Sequence, residues 1–562
     1  MHDVSLQDQL AHIATGLAGE DSPPIQLERP RDPSHGDLAT NLALVLAGRL
    51  KQPPRQVAEH IIATLDLAAA GIASAQIAGP GFINFRLAHE TVHGVLSRIL
   101  TAGEDWGRTA QRAGRRTQVE FVSANPTGPL HVAHGRGAAL GDAIASLLEW
   151  QGEEVTREFY VNDAGAQIDR LAESLDARWR QLHGETAQVP EGGYHGEYLV
   201  DMAKHAEAEQ GDALRAASPA ERVRLLRAWA IARLRAEQDA DLRDFGVHFD
   251  VYTTESELYA SPLLDETLRA LVAQNLTYQL DGAVWLRTSE YGDDKDRVLV
   301  KSDGTYTYFL PDLAYHREKA RRGFHHVINV WGADHHGYVP RMQAALAAIE
   351  LRGFLDIEIV QMVRVMRGTE EVKLSKRAGT IVTLRELIAE TGVDVARYFF
   401  LMRRGDAQML FDLDLALDHS EKNPIYKVQY AHARMMSIFR KAGEDPAALR
   451  VAEVDPGLLT HGTELELMKQ MAAFPDALVR ASAARAPHIV CDYLETTAGL
   501  VNSWYHAGNP SRNPALAVLV ADPALRRARL VLARAIQIVL RNGLRVLGLG
   551  APDRMEREEA AA

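Results

Sequence analysis

The chain has 562 residues, of which 46% are hydrophobic and 24% are charged, and these proportions are typical of folded globular proteins. They exclude disordered, collagen-like and low-complexity proteins, and the length exceeds a single domain of about 150 residues several-fold. The net charge of -13 argues against general adhesion to polyanions, and the only cysteine, Cys491, excludes an intrachain disulfide and a Cys-rich zinc site. No signal-peptide pattern and no run of roughly 20 apolar residues is present, so we expect a cytoplasmic protein.

The first 110 residues predict an α+β domain. Asp37–Leu50 and Arg55–Leu65 have helical spacing with a double proline between them, and residues 75–87 (AQIAGPGFINFRL) alternate like two strands. The charged, glycine-containing run from Gly103 to Arg116 is typical of a linker. We therefore predict a domain boundary near residue 110.

The next part of the chain predicts a parallel sheet. TQVEFV (117–122) and VTREFYV (155–161) have strand composition, and a helical pattern lies between them. HHVINVWGADHHG (325–337) indicates another strand, followed by a helix that begins near Tyr338. Such βαβ units form parallel sheets, which bind ligands outside the carboxyl ends of their strands. Mostly helical sequence over residues 170–280 indicates an insertion into this domain.

Beyond Asn423 the sequence predicts an all-α bundle. Apolar residues of its last long helix fall on one side at helical spacing, whereas four arginines fall on the other: Arg527, Arg534, Arg541 and Arg545. Residues from Ile425 onwards carry 17 basic and 14 acidic side chains, although the whole chain is acidic. We therefore expect any nucleic-acid contact in this part, with a solvated arginine surface as the alternative to a phosphate-facing one.

The segment SANPTGPLHVAHGRG (123–137) follows the first strand of the predicted sheet. It places His131 and His134 three residues apart at the start of a helix, where free backbone N–H groups and the helix dipole favour an anion. Three alternatives compete with an anion site. The first is a metal site held by the two histidines. The second is a dinucleotide-binding fingerprint, which the glycines resemble with the third glycine one position late. The third is a structural role, with the glycines used for helix packing and the histidines as caps.

A second segment, MRGTEEVKLSKRAG (366–379), precedes a helix whose cap we assign to Thr383 and Glu386. Its Lys373 and Lys376 are separated by a short polar turn and suit a polyphosphate, whereas the alternative is a solvated basic loop. Because the chain also carries the histidine segment, we favour a triphosphate site formed by both.

The two segments resemble the signature motifs of class I aminoacyl-tRNA synthetases. HVAHG is similar to the HIGH motif, with Ala133 where the motif has glycine, and KLSKR is similar to the KMSKS motif. FYVNDAG, YFLPDLAYH, NPIYKVQYAHAR and LRVLGLGAPDRM resemble arginyl-tRNA synthetases in particular.

This resemblance implies an α/β multidomain protein. It implies an N-terminal α+β domain (1–110) that binds the tRNA elbow and a Rossmann-type parallel-sheet catalytic domain (111–424) with a helical insertion at about 170–280. A C-terminal all-α bundle (425–562) would bind the anticodon.

The resemblance also implies ligation of L-arginine to tRNA(Arg) through an arginyl-adenylate, with ATP and Mg²⁺ as reactants and AMP and pyrophosphate as products. A pocket for arginine needs a carboxylate, because a fixed pair of acceptors distinguishes a guanidinium from an ammonium. The implied arginine-binding residues are Asn125, Asn162, Tyr308, Asp312 and Gln343. The implied catalytic residues are His131, His134, Lys373 and Lys376, and these four would bind ATP together with Gly135, Gly332, Asp334 and Ser375. We assign tRNA binding to the four arginines of the last helix.

Two other functions stay open at this point. A small-molecule nucleotidyltransferase would use the same two phosphate-binding segments without tRNA, and a non-catalytic tRNA-binding module would need neither. We expect a monomer with no structural metal and no membrane partner.

Overall fold

The computed structural model describes residues 5–19, 22–30, 32–372, 382–509 and 511–555. Lys373, Ser375 and Lys376 lie outside the described residues. The described chain forms an N-terminal α+β part, a central parallel sheet with helices and a C-terminal helical bundle, so the predicted fold class is confirmed.

The N-terminal part packs helices on a small antiparallel sheet of order β1-β3-β2. Its elements are α1 (Leu6–Ala18), β1 (Leu38–Thr40), α2 (Leu42–Leu50), α3 (Pro54–Thr64), β2 (Ile72–Ala78), β3 (Phe82–Leu87) and α4 (His89–Ala102). The predicted helix over Asp37–Leu50 is wrong in its first turn, because β1 pairs there with β3. Three residues are too few for alternation to reveal a strand.

The central sheet has five parallel strands in the order β11-β10-β4-β5-β6. The elements from its first strand to the third insertion helix are β4 (Arg116–Glu120), α5 (Val132–Trp150), β5 (Glu154–Val161), α6 (Ala166–Leu182), α7 (Tyr198–Ala216) and α8 (Pro219–Asp244). The predicted βαβ unit is therefore confirmed as β4, α5 and β5.

The elements that follow complete the sheet and add two small sheets, β7-β8-β9 and β13-β12-β14. They are β6 (Val251–Thr254), α9 (Glu255–Ala260), α10 (Leu263–Ala273), β7 (Thr277–Leu280), β8 (Ala283–Leu286), β9 (Arg297–Val300), α11 (Phe309–Arg321), β10 (His326–Gly332), α12 (Val339–Ala348), β11 (Leu355–Val360), β12 (Val363–Arg367), β13 (Glu370–Glu371), α13 (Leu384–Thr391), α14 (Val393–Leu401), β14 (Met409–Asp412) and α15 (Leu413–Ala416).

The helical insertion is shorter than expected. Helices α6, α7 and α8 share their own apolar core, which includes Leu171, Trp179 and Leu226. Residues 251–254 then form β6, which pairs with β5 at the edge of the parallel sheet. The expected insertion to about residue 280 therefore ends near Asp244, because β6 is too short for its pattern to stand out against the helices on either side.

The C-terminal bundle consists of α16 (Pro424–Ala442), α17 (Gly462–Ala472), α18 (Phe474–Ala483), α19 (His488–Ala507) and α20 (Pro523–Val546). Apolar side chains of α20 predicted to face the core, including Leu532, Ile536 and Leu540, are buried. The described helices include none that is long and apolar enough to cross a membrane.

The expected linker at residues 103–116 packs on this bundle. The Asn542 side-chain amide donates to the backbone oxygens of Gly103 and Trp106, both at 3.0 Å. The Thr109 backbone N–H donates to the Trp150 oxygen at 2.8 Å. The run is therefore held in a defined path between the N-terminal part and the sheet.

Candidate active site

The segment after β4 turns sharply at the carboxyl edge of the sheet. Val122 and Ser123 have φ values of 67° and 42°, in the left-handed region. A β-branched residue such as valine rarely adopts this conformation, and the strain is of order 1–3 kcal/mol. The Ser123 Oγ accepts a hydrogen bond from the Tyr160 backbone N–H on β5 at 3.2 Å, which helps to hold the turn.

His131 and His134 stand side by side at the start of α5. Their rings stack with centroids 3.7 Å apart and an interplanar angle of 24°. The His131 backbone N–H donates to His134 Nδ1 at 3.3 Å, so the hydrogen of a neutral His134 ring is on Nε2. Burial lowers the pKa of His131, and burial together with the neighbouring His131 lowers the pKa of His134 to about 3. His134 is therefore a neutral hydrogen-bond donor at physiological pH and not a cation.

The chain after the lysine segment returns directly beside these histidines. The Val132 backbone N–H donates to the Val382 oxygen at 3.2 Å, and the Leu384 N–H donates to the Leu130 oxygen at 2.8 Å. The predicted cap is confirmed, since the Thr383 hydroxyl accepts from the Glu386 backbone N–H at 3.1 Å and the Glu386 carboxylate accepts from the Thr383 N–H at 3.0 Å. The residues that follow the lysine segment are thus hydrogen-bonded to the histidine segment on either side of His131.

The glycines of the histidine segment permit close packing. A Cβ on Gly135 would lie 2.6 Å from Leu384 Cδ1 and 3.2 Å from the Phe400 ring, and a Cβ on Gly141 would overlap the Phe121 ring. A Cβ on Gly137 would meet nothing within 4 Å. This geometry supports the packing interpretation of Gly135 and Gly141 over the dinucleotide fingerprint.

We expect Gly135→Ala to lower the thermal unfolding midpoint and Gly137→Ala to leave it unchanged or raise it. The added methyl at residue 135 would overpack the contact with Leu384, which costs about 1–3 kcal/mol. The same change at residue 137 removes backbone freedom from the unfolded chain in a site with room for the methyl. Thermal unfolding of both variants and of the unchanged chain checks this. An equal decrease of the unfolding midpoint in the two variants would contradict the prediction.

The two predicted asparagines lie in contact. The Asn162 side-chain amide at the end of β5 donates to the Asn125 side-chain oxygen at 2.7 Å. The Asn125 amide in turn donates to Gln167 at 2.6 Å on α6. Both side chains therefore lie at the carboxyl edge of the sheet, as expected for residues that follow β4 and β5.

Asp312 lies in the first turn of α11 and keeps some exposure, although protein surrounds its carboxyl group. Its Oδ2 accepts from the Tyr338 hydroxyl at 2.6 Å. Burial raises the pKa of Asp312 to about 7, the Tyr338 hydrogen bond lowers it, and the nearby Glu120 and Glu255 carboxylates raise it. An extra positive charge in this pocket would relieve both the desolvation and the repulsion.

The other two predicted arginine-binding side chains are solvent-exposed. Tyr308 is the N-cap residue of α11 and is 82% exposed. Gln343 lies on α12 with an exposed side chain that makes no hydrogen bond within the described part of the chain. The structure therefore leaves both side chains at the surface, with Tyr308 one helical turn before Asp312 and Gln343 on α12.

Glu255 and Tyr338 belong to this pocket and were missed by the sequence reasoning. Glu255 directly follows β6. Burial raises the pKa of Glu255, and repulsion from the Asp163 carboxylate raises it further. Its position after a strand of the parallel sheet was the available signal, but the strand itself was not predicted. Tyr338 was noted only as a helix start.

A buried polar network lies behind the pocket. The Lys319 ammonium donates to Glu120 Oε2 at 2.5 Å and to Asn329 Oδ1 at 3.2 Å. Asn329 also contacts His316 Nε2 at 3.1 Å, while His316 Nδ1 lies 2.8 Å from the Asp312 backbone oxygen. Burial lowers the pKa of His316 to about 3, so the ring is neutral. The network fixes α11, and thus Asp312, against the ends of β4 and β10.

Gly332 is the last residue of β10, and Asp334 lies in the 3₁₀ turn that follows. The Asp334 side chain is 78% exposed and lies 3.4 Å from His335 Nε2. The described residues contain no group of three or more His, Cys, Asp or Glu side chains suited to hold a metal ion. Any metal at this edge would therefore need ligands from a bound molecule or from water.

The four arginines of α20 do not form one open surface. Arg527 pairs with Glu444 at 2.8 Å and Glu453 at 3.0 Å, and Arg541 and Arg545 each lie 3.4 Å from Glu104. Arg534 is half-buried, contacts Gln537 and has no carboxylate within ion-pair distance among the described residues. Burial lowers the pKa of Arg534, and the nearby Arg541 lowers it further.

A cavity of about 890 Å³ opens elsewhere in the bundle, between α16, α19 and the C-terminal segment. The Arg434 guanidinium lies between the rings of Tyr430 and Tyr505, at 4.7 and 4.5 Å from their centroids. Arg440 and Lys441 also line the cavity. It therefore combines aromatic faces with cationic groups.

Family models match three successive parts of the chain. Residues 4–87 match the arginyl-tRNA synthetase N-terminal domain, residues 95–399 match the catalytic domain of class I tRNA synthetases (R), and residues 428–555 match the DALR anticodon-binding domain.

Known proteins agree with these matches. The chain is 47% identical to the arginine–tRNA ligase of Thiobacillus denitrificans, over 98% of this chain and 99% of that protein. It is 44% identical to the arginine–tRNA ligase of Bacillus subtilis over 99% of each. Its fold is similar to that of Thermus thermophilus arginyl-tRNA synthetase, with a TM-score of 0.78 at 24% identity, covering 99% of this chain and 100% of that one. With a signature-motif site at the sheet edge and matches along its whole length, the chain belongs to the arginyl-tRNA synthetase family of class I.

Proposed function

We propose that this protein ligates L-arginine to tRNA(Arg) in the cytoplasm, using ATP and releasing AMP and pyrophosphate. The observation that carries the proposal is the composition of one sheet edge. The His131–His134 pair and the contact between Asn125 and Asn162 follow the carboxyl ends of parallel strands. The partly buried Asp312 lies in the first turn of α11, the helix that precedes β10. A polyanion site and a cation-recognising carboxylate side by side suit a reaction between ATP and arginine.

The first step needs no protein nucleophile. A carboxylate oxygen of arginine attacks the α-phosphorus of ATP, the bond from that phosphorus to the β-phosphate oxygen breaks, and pyrophosphate leaves with the electron pair. A terminal ribose hydroxyl of tRNA then attacks the arginyl carbonyl, and AMP leaves. Such transfers depend on positioning and on stabilisation of the developing charge.

The ATP-binding residues in this proposal act without a cationic imidazole. The His134 Nε2–H donates to a phosphate oxygen, and Lys373 and Lys376 supply positive charge to the leaving pyrophosphate. Gly135, Gly332, Asp334 and Ser375 would complete the ATP contacts. Mg²⁺ would enter with ATP, bound by phosphate oxygens and water, and would neutralise charge on the pyrophosphate.

The arginine-binding residues form a pocket with two carboxylates. Asp312 and Glu255 would receive the guanidinium, and Tyr338 would orient Asp312. Asn125 and Asn162 would bind the α-amino and carboxylate groups, and Tyr308 would cover the pocket from its exposed position. Gln343 would need to turn inward from α12 to contribute.

ATP–pyrophosphate exchange with each amino acid, with and without tRNA(Arg), tests the function. We expect exchange with arginine alone among the amino acids. Exchange with another amino acid would overturn the substrate assignment, and exchange with none would leave only a binding function. A nucleotidyltransferase acting on small molecules is not favoured, because residues 428–555 match an anticodon-binding domain.

Arginine binding is expected to strengthen as the pH rises from about 6 to about 8. Asp312 has a pKa of about 7 without substrate, so its carboxyl is mostly protonated at the lower pH, whereas the guanidinium is charged throughout. Affinity should fall by about tenfold per pH unit below the pKa and level off above it. The pH profile of kcat/KM for arginine checks this, and a profile that is flat across this range would contradict it.

For tRNA, we propose two contact areas in the bundle. One is the cavity between α16, α19 and the C-terminal segment, because the cationic side chains of Arg440 and Lys441 line it and can pair with phosphates. The other is the surface of α20 near Arg534, while Arg527, Arg541 and Arg545 would have to exchange carboxylate partners for phosphates.

We expect Arg534→Ala to weaken tRNA binding by about 3- to 10-fold and to reduce its salt dependence, with little change in activation at saturating tRNA. Arg527→Ala is the matched control, because Arg527 lies on the same helix but already pairs with Glu444 and Glu453. Binding isotherms at several salt concentrations measure both effects. Equal losses from the two substitutions would contradict a special role for Arg534.

A further inference from the structure

Helices α7 and α8 of the insertion hold the first signature segment by its backbone. The Tyr198 hydroxyl on α7 donates to the Thr127 oxygen at 2.6 Å. The Gln238 side-chain amide on α8 donates to the Asn125 oxygen at 3.1 Å and to the Gly128 oxygen at 3.0 Å. Gln238 is 3% exposed, so these bonds are buried and their partners have little access to water.

One turn further along α8, Asp241 contacts the helix that follows the second signature segment. Its Oδ1 accepts from Arg385 Nε at 2.7 Å, and Arg385 is the second residue of α13. Asp241 is 2% exposed, whereas the Arg385 side chain is half exposed. Burial raises the pKa of Asp241, and Arg385 opposes this shift. Loss of the arginine would therefore leave a buried carboxylate without its partner.

A cavity of about 700 Å³ lies between α7, α8 and the start of α13, and its lining includes Pro129, Tyr198, Asp241, Thr383 and Arg385. The apolar side of α13, with Leu384 and Leu387, is buried in the main core of the protein. The Asp241–Arg385 pair lies at this cavity and adds a polar link between α8 and α13.

We propose that α8 braces the histidine segment against α13, the helix that follows the lysine segment, with Gln238 and Asp241 as positioning residues that add to the direct hydrogen bonds between Leu130 and Leu384. Gln238 fixes the backbone before His131, and Asp241 fixes the helix that begins after the lysine segment. These two side chains are three residues apart and share one face of α8. A change of about 1 Å between catalytic segments can cost about a hundredfold in rate, so a rigid spacer between them matters. This inference rests on the proposed function of both segments.

The test measures ATP–pyrophosphate exchange with Gln238→Ala, Asp241→Asn and Arg385→Gln. We expect kcat/KM for ATP to fall by about tenfold or more in all three variants, while the KM for arginine changes less than about twofold in Asp241→Asn and Arg385→Gln. Gln238→Ala should raise the KM for arginine as well, because Gln238 also holds the Asn125 backbone. The double variant Asp241→Asn with Arg385→Gln should be no worse than the more impaired single variant, because the pair acts as a unit. Arg385→Gln changes a half-exposed residue, so it keeps the test valid if Asp241→Asn folds poorly.

The matched control is Asp176→Asn. Asp176 on α6 forms an ion pair at 2.6 Å with Arg222 on α8, and both side chains are only 11% exposed. Within the described residues, this pair makes no hydrogen bond to either ATP-binding segment. This variant should lower the thermal unfolding midpoint and leave the ATP kinetics unchanged. If it lowers kcat/KM for ATP as much as Asp241→Asn does, α8 acts only through general stability and the proposal is overturned.

Hydrogen exchange gives a readout that does not depend on turnover. Asp241→Asn and Arg385→Gln should speed exchange of the α13 amides, whereas Asp176→Asn should not. Unchanged exchange in α13 together with unchanged ATP kinetics would overturn the positioning role. If the unchanged chain showed no arginine-dependent ATP–pyrophosphate exchange, the proposed function itself would be overturned. The two failures are therefore distinguishable.

Discussion

Asp312→Asn is expected to raise the KM for arginine by on the order of 10²–10³-fold, with the KM for ATP changed less than about threefold. The reason is the loss of one partner of a desolvated charge pair, which typically costs about 2–5 kcal/mol. Asparagine has nearly the same shape and its oxygen still accepts from Tyr338, so the pocket should keep its form. Steady-state exchange kinetics with arginine and ATP varied separately measure the effect.

The control for this substitution is Glu318→Gln on the same helix. Among the described residues, the Glu318 carboxylate forms an ion pair with Arg321 alone, at 4.0 Å. It should leave both KM values unchanged. If Asp312→Asn also left the KM for arginine unchanged, Glu255 would have to be the main guanidinium partner, and our assignment of Asp312 would be wrong.

The parts of the fold that the sequence predicts are those with long or strongly apolar patterns. The βαβ unit and the helix α5 follow from strand composition and helical spacing over many residues. β1 and β6, with three and four residues, were missed because a period cannot be recognised in so few positions. Each of them pairs with a neighbour that is distant in sequence, and such pairing has no local signal.

The candidate site likewise contains features that the local sequence predicts and features that depend on the tertiary fold. The two histidines and the Thr383 cap are local features, and their geometry follows from a strand, a turn and a helix start. Glu255 and Tyr338 reach the Asp312 pocket from β6 and β10, so only the sheet order brings them there. The family resemblance therefore pointed to one carboxylate of the pocket, Asp312, and the sequence reasoning missed the other, Glu255.

The charge of individual side chains depends still more on tertiary contacts. The arginines of α20 fall on one face by their spacing, yet Arg541 and Arg545 lie beside Glu104 from the N-terminal part. Likewise, an imidazole near a phosphate site suggests a cation, whereas burial makes His134 neutral. Helical periodicity gives the direction of a side chain, but it carries no information on the partner or the solvent that the side chain meets.

His134→Ala is expected to lower kcat for ATP–pyrophosphate exchange by about 10²–10³-fold. Removal of one fixed donor to a developing oxyanion has effects of this size in other enzymes. His134→Gln should retain considerably more activity than the alanine variant, because the glutamine amide can place an N–H near the position of His134 Nε2–H. Comparison of kcat for the three proteins at saturating arginine, ATP and tRNA measures the effect.

This comparison separates a neutral donor from a cation. A neutral His134 with a pKa of about 3 should contribute no titration to kcat between about pH 5 and about pH 8, since the ring loses its proton well below that range. Glutamine never carries a charge, so partial rescue by glutamine requires that donation and not charge stabilises the phosphate. Two results together would contradict this. The glutamine variant would be as inactive as the alanine variant, and kcat of the unchanged chain would fall as the pH rises through about 6.5, a dependence that the His134→Gln variant would lack. His134 would then have to act as an imidazolium. Burial at the start of α5 and electrostatic repulsion from the neighbouring His131 both lower the pKa of His134 and oppose that charge.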